Sequence, residues 1–165
     1  MILIGLGGNL PSETWGAPRR TLEAALEVLK ARGQRVARLS RWYETAPVPV
    51  SDQPWFTNAV AEIESDLTPR ALLDLLHEVE ESFGRVRRER WEARIIDLDL
   101  LAYGDIVLPD AASWQRGEGA FMLPHPRLHL RRFVLEPICD LDPDWRHPLL
   151  EMTARQMLAA LPEAE

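Results

Sequence analysis

Apolar residues dominate Met1 to Leu6, a run that fits a buried first strand, and Gly7-Gly8-Asn9 with Pro11-Ser12 reads as the turn that ends it. Leu22, Ala25, Leu26 and Leu29 then recur at i, i+3, i+4 and i+7. With Pro18 suited to a first turn and Gly33 to a stop, this spacing predicts a helix. Val36 to Tyr43 and Asn58 to Ile63 read as strands on either side of a proline-rich loop, Ala46 to Pro54. Thr68 and Pro69 suit an N-cap and first helical residue. Leu72, Leu75, Leu76, Val79 and Phe83 form the stripe of this second helix, and Gly84 closes it. Ile95 to Leu101 reads as a strand with two acids inside it. Gly104 to Pro126 shows no clear period, and Gly104 to Gly119 is the expected mobile loop. A last helix opens near Thr153, with Ala154, Met157, Leu158 and Leu161 at helical spacing. The order β-α-β-β-α-β followed by an extension predicts a ferredoxin-like α+β sandwich, its helices covering one face of an antiparallel sheet.

A length of 165 residues favours one domain spanning 1–165, and the mixture of 46% hydrophobic and 27% charged residues is that of a soluble globular chain. The net charge of −7 argues against a nucleic-acid partner, because such binders neutralise phosphates with basic surface. A local basic site for one nucleotide stays compatible with that total. The single cysteine, Cys139, is expected to be a small buried hydrophobe. No run approaches the ~20 apolar residues of a membrane span, and the first residues lack the basic start and long apolar run of a signal peptide. A soluble, cytoplasmic monomer is the expectation.

The chemistry is concentrated late in the chain. Asp97 and Asp99 alternate within an apolar strand, so they share one face about 6.5–7 Å apart. Two like charges on one rigid element suit a hard cation such as magnesium, although a solvated strand face would show the same alternation. Just before them, Gly84 to Arg94 carries five arginines, Arg85, Arg87, Arg88, Arg90 and Arg94. Guanidinium groups beside metal-binding carboxylates are recurring equipment for phosphoryl transfer. A basic surface loop paired with the acidic body is the plainer alternative. The phosphate-binding pattern G-x-x-x-x-G-K-[ST] is absent, and Gly5-Leu6-Gly7-Gly8 lacks dinucleotide spacing and reads as a tight turn.

Six motifs occur in order: Gly7-Gly8-Asn9-Leu10, Tyr43-Glu44-Thr45-Ala46-Pro47, Gln53-Pro54-Trp55-Phe56-Thr57-Asn58, Phe83-Gly84-Arg85-Val86-Arg87, Arg90-Trp91-Glu92-Ala93-Arg94-Ile95-Ile96-Asp97-Leu98-Asp99, and Leu123-Pro124-His125-Pro126. Together they resemble the hydroxymethyldihydropterin pyrophosphokinases up to about Pro143. The resemblance implies transfer of a diphosphate from ATP to the hydroxymethyl group of a dihydropterin, with small molecules as the partners. It implies that Asp97 and Asp99 hold two magnesium ions, and that Arg85 and Arg94 contact the transferring diphosphate. Arg87, Arg88 and Arg90 would hold ATP more loosely, and Trp91 would sit on a closing loop. For the pterin it implies an aromatic pair, Phe56 and Phe133, with Trp91 of the closing loop, the carboxamide of Asn58, and backbone groups near Thr45 and Val48. His125 and Arg131 match ATP-phosphate contacts, and His77 with Glu80 falls where the nucleotide's sugar and base are held. His129 and His147 have no match and are expected to be surface or packing residues.

The chain departs from the family pattern at Gly8, Ala46, Glu92 and Pro126, and its connection from Asp110 to Phe121 is longer than usual. Two other classes fit part of the pattern. A nucleotidyl-transferring enzyme can also place two metal-binding acids on such a sheet, but it gives Phe56, Asn58 and Phe133 no role. A non-catalytic ferredoxin-like binding module would bind without turnover.

Overall fold

The computed structural model describes residues 1–47, 50–84 and 95–162. Five strands form one antiparallel sheet: β1 (Ile2–Gly8), β2 (Arg35–Leu39), β3 (Tyr43–Thr45), β4 (Phe56–Glu64) and β5 (Asp97–Tyr103). Their order is β2-β4-β1-β5, and β3 takes the stretch of β4's edge that β2 does not reach. The helices are α1 (Pro18–Ala31), α2 (Pro69–Ser82), α3 (Ala111–Arg116), α4 (Arg132–Leu141) and α5 (Ala154–Ala160). This is the ferredoxin-like order with a C-terminal extension.

The apolar run of β1 has two faces because the sheet is covered on both. Ile4 and Leu6 pack with Ala59, Ala61, Leu98 and Leu100 against the stripes of α1 and α2. Leu3, Val60, Leu101 and Ala102 face the other way, under α4 and α5. The expectation of helices on one face therefore holds for α1 and α2 only, and the extension supplies a third layer. Leu135, Ile138 and Leu141 of α4 complete that second core.

Other expectations are corrected in detail. Val36 to Tyr43 is two strands: β2, with a register shift against β4 between Val36 and Arg38, ends at Leu39, and β3 begins at Tyr43. The acid-bearing strand starts at Asp97, two residues later than expected. Gly5, Gly7 and Gly8 lie inside β1 and make no turn. The stretch 104–119 contains α3: Asp110 caps it, Gly117 closes it with φ +72°, and Trp114 is buried. Thr68 caps α2 with its side chain, as expected, Thr153 does the same for α5, and Gly84 ends α2 with φ +86°.

Candidate functional site

The register places the polar residues in rows. Asn58, Gly7 and Asp97 are neighbours across β4, β1 and β5, and the next row is Val60, Gly5 and Asp99. Cross-strand partners share a face, so both aspartates lie on the side that α4 and α5 cover. Those helices pack on the Leu3, Val60 and Leu101 part of it. Asn58, Gly7, Asp97 and Asp99 lie beyond that packing, at the end where β1 finishes and β4 and β5 begin.

At the β4 side, Phe56 and Asn58 alternate on this face, paired with Thr45 and Tyr43 of β3. Asn58 is 8% exposed, and its Nδ2 donates to Thr45 Oγ1 at 2.7 Å. The Tyr43 hydroxyl donates to Asp140 Oδ2 on α4 at 2.7 Å, and the Arg41 guanidinium donates to Asp140 Oδ1 at 2.9 Å. Burial alone would raise the Asp140 carboxyl, but these hydrogen bonds prevail and hold it below the usual range. They lash β3 to the last turn of α4, whose first turn carries Phe133. Arg131 lies over the Phe133 ring, 5.4 Å from its centroid.

Asn9 is a residue whose role sequence reasoning missed. It is 2% exposed, and its Nδ2 donates to Gln53 Oε1 and Pro54 O, each at 3.0 Å. This ties the end of β1 to the loop entering Phe56. The available signal was a single amide beside a glycine pair, which is too little to assign a partner.

At the β5 side, Asp97 and Asp99 are half-buried. Between them, the Leu98 backbone N–H donates to Glu80 Oε2 at 2.8 Å. Glu80 is 1% exposed and reaches the free edge of β5 from α2, on the opposite face of the sheet. His77 lies half-buried one turn earlier on α2. His125 is set by α3 and β5 together: its N–H donates to Leu101 O at 2.8 Å, and Trp114 Nε1 donates to the preceding Pro124 O at 2.7 Å. Its Nδ1 accepts the Arg127 N–H at 3.1 Å, which leaves the proton on Nε2. Burial first, and then the Arg131 charge, hold the imidazole's pKa down to about 4 against the pull of Asp97. The ring is thus a neutral donor beside an acid and a guanidinium.

The structure brings Thr45, Phe56, Asn58 and Phe133 to one side, with Asp97, Asp99, His125 and Arg131 beside them. Val48, Arg85, Arg87, Arg88, Arg90, Trp91, Glu92 and Arg94 lie outside the described residues. Among the described residues no group of three or more His, Cys, Asp or Glu side chains forms a metal cage. Two carboxylates on one strand still fit magnesium, which takes one or two protein carboxylates and completes its shell with phosphate oxygens and water. Cys139 is half-buried, and burial raises its thiol pKa, which disfavours the thiolate. Among the described residues no helix is long and apolar enough to cross a membrane.

Fold and site together define an α+β domain of ferredoxin-like topology with two acids on one strand, Asp97 in the same row as the Asn58 amide. Residues 3–143 match the model of the family described as 7,8-dihydro-6-hydroxymethylpterin-pyrophosphokinase (HPPK). A 2-amino-4-hydroxy-6-hydroxymethyldihydropteridine pyrophosphokinase of Synechocystis sp. is 34% identical over 157 residues, covering 94% of this chain and 73% of that protein. The protein of the same name from Methylorubrum extorquens is 38% identical over 142 residues, covering 86% and 82%. The solved Plasmodium falciparum HPPK-DHPS wild type superposes with a TM-score of 0.71 at 14% identity, over 96% of this chain and 44% of that one. The chain spans less than half of that longer protein, and the likeness supports the fold. The chain belongs to the 7,8-dihydro-6-hydroxymethylpterin-pyrophosphokinase family. It is an ATP-dependent pyrophosphokinase of folate biosynthesis.

Proposed function

We propose that the chain transfers the diphosphate of ATP to the hydroxymethyl group of 6-hydroxymethyl-7,8-dihydropterin, giving AMP and the pterin diphosphate. The observation that carries this reading is the row Asn58, Gly7, Asp97 across three neighbouring strands. Two strand spacings separate its ends by about 10 Å. A flat ring held at Asn58 would therefore turn its hydroxymethyl group toward the acids.

In this reading Phe56 and Phe133 sandwich the pterin by offset stacking, while the Asn58 carboxamide and the backbone near Thr45 and Val48 meet its amide-like edge. Asp97 and Asp99 would hold two magnesium ions, which when bound order the ATP phosphates and offset their charge. Arg85 and Arg94 would contact the transferring diphosphate and Arg87, Arg88 and Arg90 the rest of ATP, while Trp91 would close over the pterin. His125 offers a phosphate oxygen its Nε2–H without adding a cation, and Arg131 adds the cation. His77 would meet the nucleotide's sugar or base, whereas Glu80 acts through the strand that bears the aspartates.

The pterin hydroxyl attacks the β-phosphorus in line, the bond to the α-phosphate oxygen breaks, and AMP leaves. The hydroxyl proton passes to solvent, and no covalent intermediate on the chain is needed. The chain's contribution is positioning and charge. The partners in this reading are small molecules, and the chain is read as a monomer.

Incubation with ATP, magnesium and hydroxymethyldihydropterin tests the reading. AMP and the pterin diphosphate are the expected products. Release of pyrophosphate would mark nucleotidyl transfer instead, and binding without turnover would mark a ligand-binding module.

A further inference from the structure

Gly7 lies inside a regular strand, and its φ is not in the left-handed region that favours glycine. A turn is therefore not what requires glycine here. Space is. A Cβ built on Gly7 would lie 2.9 Å from Oδ1 of Asn58, closer than side-chain carbons ordinarily approach, while the next atom, Thr57 O, is 3.9 Å away. Asn58 cannot simply swing aside, because its Nδ2 is held on Thr45 Oγ1 and the residue is 8% exposed. Gly5 makes a contrast on the same strand. A Cβ there would meet the flexible end of Leu101 at 3.3 Å, which can give way.

We propose that Gly7 is a positioning residue for the pterin edge. Its bare Cα lets the Asn58 carboxamide lie across β1, with Oδ1 over Gly7 and Nδ2 on Thr45. That posture sets one acceptor and one donor at the head of the row that ends in Asp97. An amide presented this way selects a flat ring whose edge carries the complementary pair, and an added methyl group would turn it out of line. The inference deepens the function proposed above and rests on Asn58 holding the pterin.

Three full-length variants test it: Gly7→Ala, Asn58→Ser and the double variant, the serine being too short to meet the new methyl. Gly7→Ala should raise the KM for hydroxymethyldihydropterin about tenfold or more, while kcat and the KM for ATP change by less than about threefold. In the Asn58→Ser background the same substitution should add less than about twofold, because the two residues act as one. In nitrogen-15 spectra of the ligand-free protein, the Asn58 side-chain amide signal should move in Gly7→Ala. An equal KM penalty in both backgrounds, or an unmoved Asn58 signal, would overturn the proposal. Should Gly7→Ala alone not fold, recovery of the fold in the double variant supports the clash, and its failure there overturns it. A wild type that makes no AMP sinks the pyrophosphokinase reading, whereas the Asn58 signal still decides whether Gly7 positions the amide.

Discussion

The buried carboxylate of Glu80 accepts the backbone N–H of Leu98, the residue between Asp97 and Asp99, at 2.8 Å. Among the described residues β5 is the last strand of the sheet, and this N–H, turned to Glu80, has no other strand beside it. A helix on one face thereby fixes the strand that presents two acids on the other. Glu80→Ala would leave that N–H unpaired and should cost about 1–3 kcal/mol of stability, with turnover falling as the acids lose their setting. Glu80→Gln keeps an acceptor oxygen and should lose less of both. Thermal unfolding and steady-state kinetics on the pair check this. A Glu80→Ala protein of normal stability with only its KM for ATP raised would make Glu80 a substrate contact.

The aspartates themselves should behave differently toward stability. Asp97→Asn or Asp99→Asn keeps the shape but removes an anionic ligand, so AMP formation in magnesium should fall by orders of magnitude. In the ligand-free protein the fold should survive, since the substitution keeps the shape and removes one of two neighbouring like charges; thermal unfolding checks this. Near-normal turnover in either variant would sink the metal assignment.

The two substrate sites should come apart at Phe133. Phe133 lies in the first turn of α4, whereas Glu80 lies on α2. Phe133→Ala should weaken pterin binding by about 1–3 kcal/mol, the range for a base stacked on an aromatic ring. Calorimetric titration with an ATP analogue should show a far smaller change. Equal losses for both ligands would make Phe133 a support of the fold.

What could be read from the sequence follows from how many residues carried each signal. α1 and α2 each show four or five apolar positions in period with a proline at the start, so their bounds were legible almost to the residue. The acid pair stood out because an apolar strand made both charges conspicuous. α3 left one buried residue, Trp114, in six, too few for a period. Pro137 inside α4 disguised the helix that closes the second face of the sheet. Gly7 and Gly8 carried the composition of a turn, and only the close approach of Asn58 explains the first of them. Glu80 sat in helical period with Leu72, Leu76 and Val79, yet its charge pointed away from a buried role that the partner strand alone reveals.

The last prediction concerns acid. His147 is fully buried, with Nδ1 accepting the N–H groups of Leu149 at 3.2 Å and Leu150 at 3.0 Å. Its ring lies edge-on to Trp114, with centroids 5.2 Å apart, and burial with the nearby His129 lowers its pKa from 6.5 to about 4. The neutral form is the one that folding favours. Between pH 6.5 and 4 the unfolded chain therefore binds a proton that the folded chain does not. The resulting stability is fully present above pH 6.5 and is lost as the pH falls toward 4, at up to about 1.4 kcal/mol per pH unit for one proton. His125, also lowered to about 4, adds a slope of the same sign. His147→Asn keeps an oxygen able to accept the same two N–H groups and removes the titration. The variant should be less stable at neutral pH, because the ring's packing is gone, but its stability should fall less steeply between pH 6.5 and 4. Urea unfolding at a series of pH values measures that slope. An unchanged slope in His147→Asn would mean that His147 titrates alike in the folded and unfolded chain, and that its burial against Trp114 exerts no penalty on the charged ring.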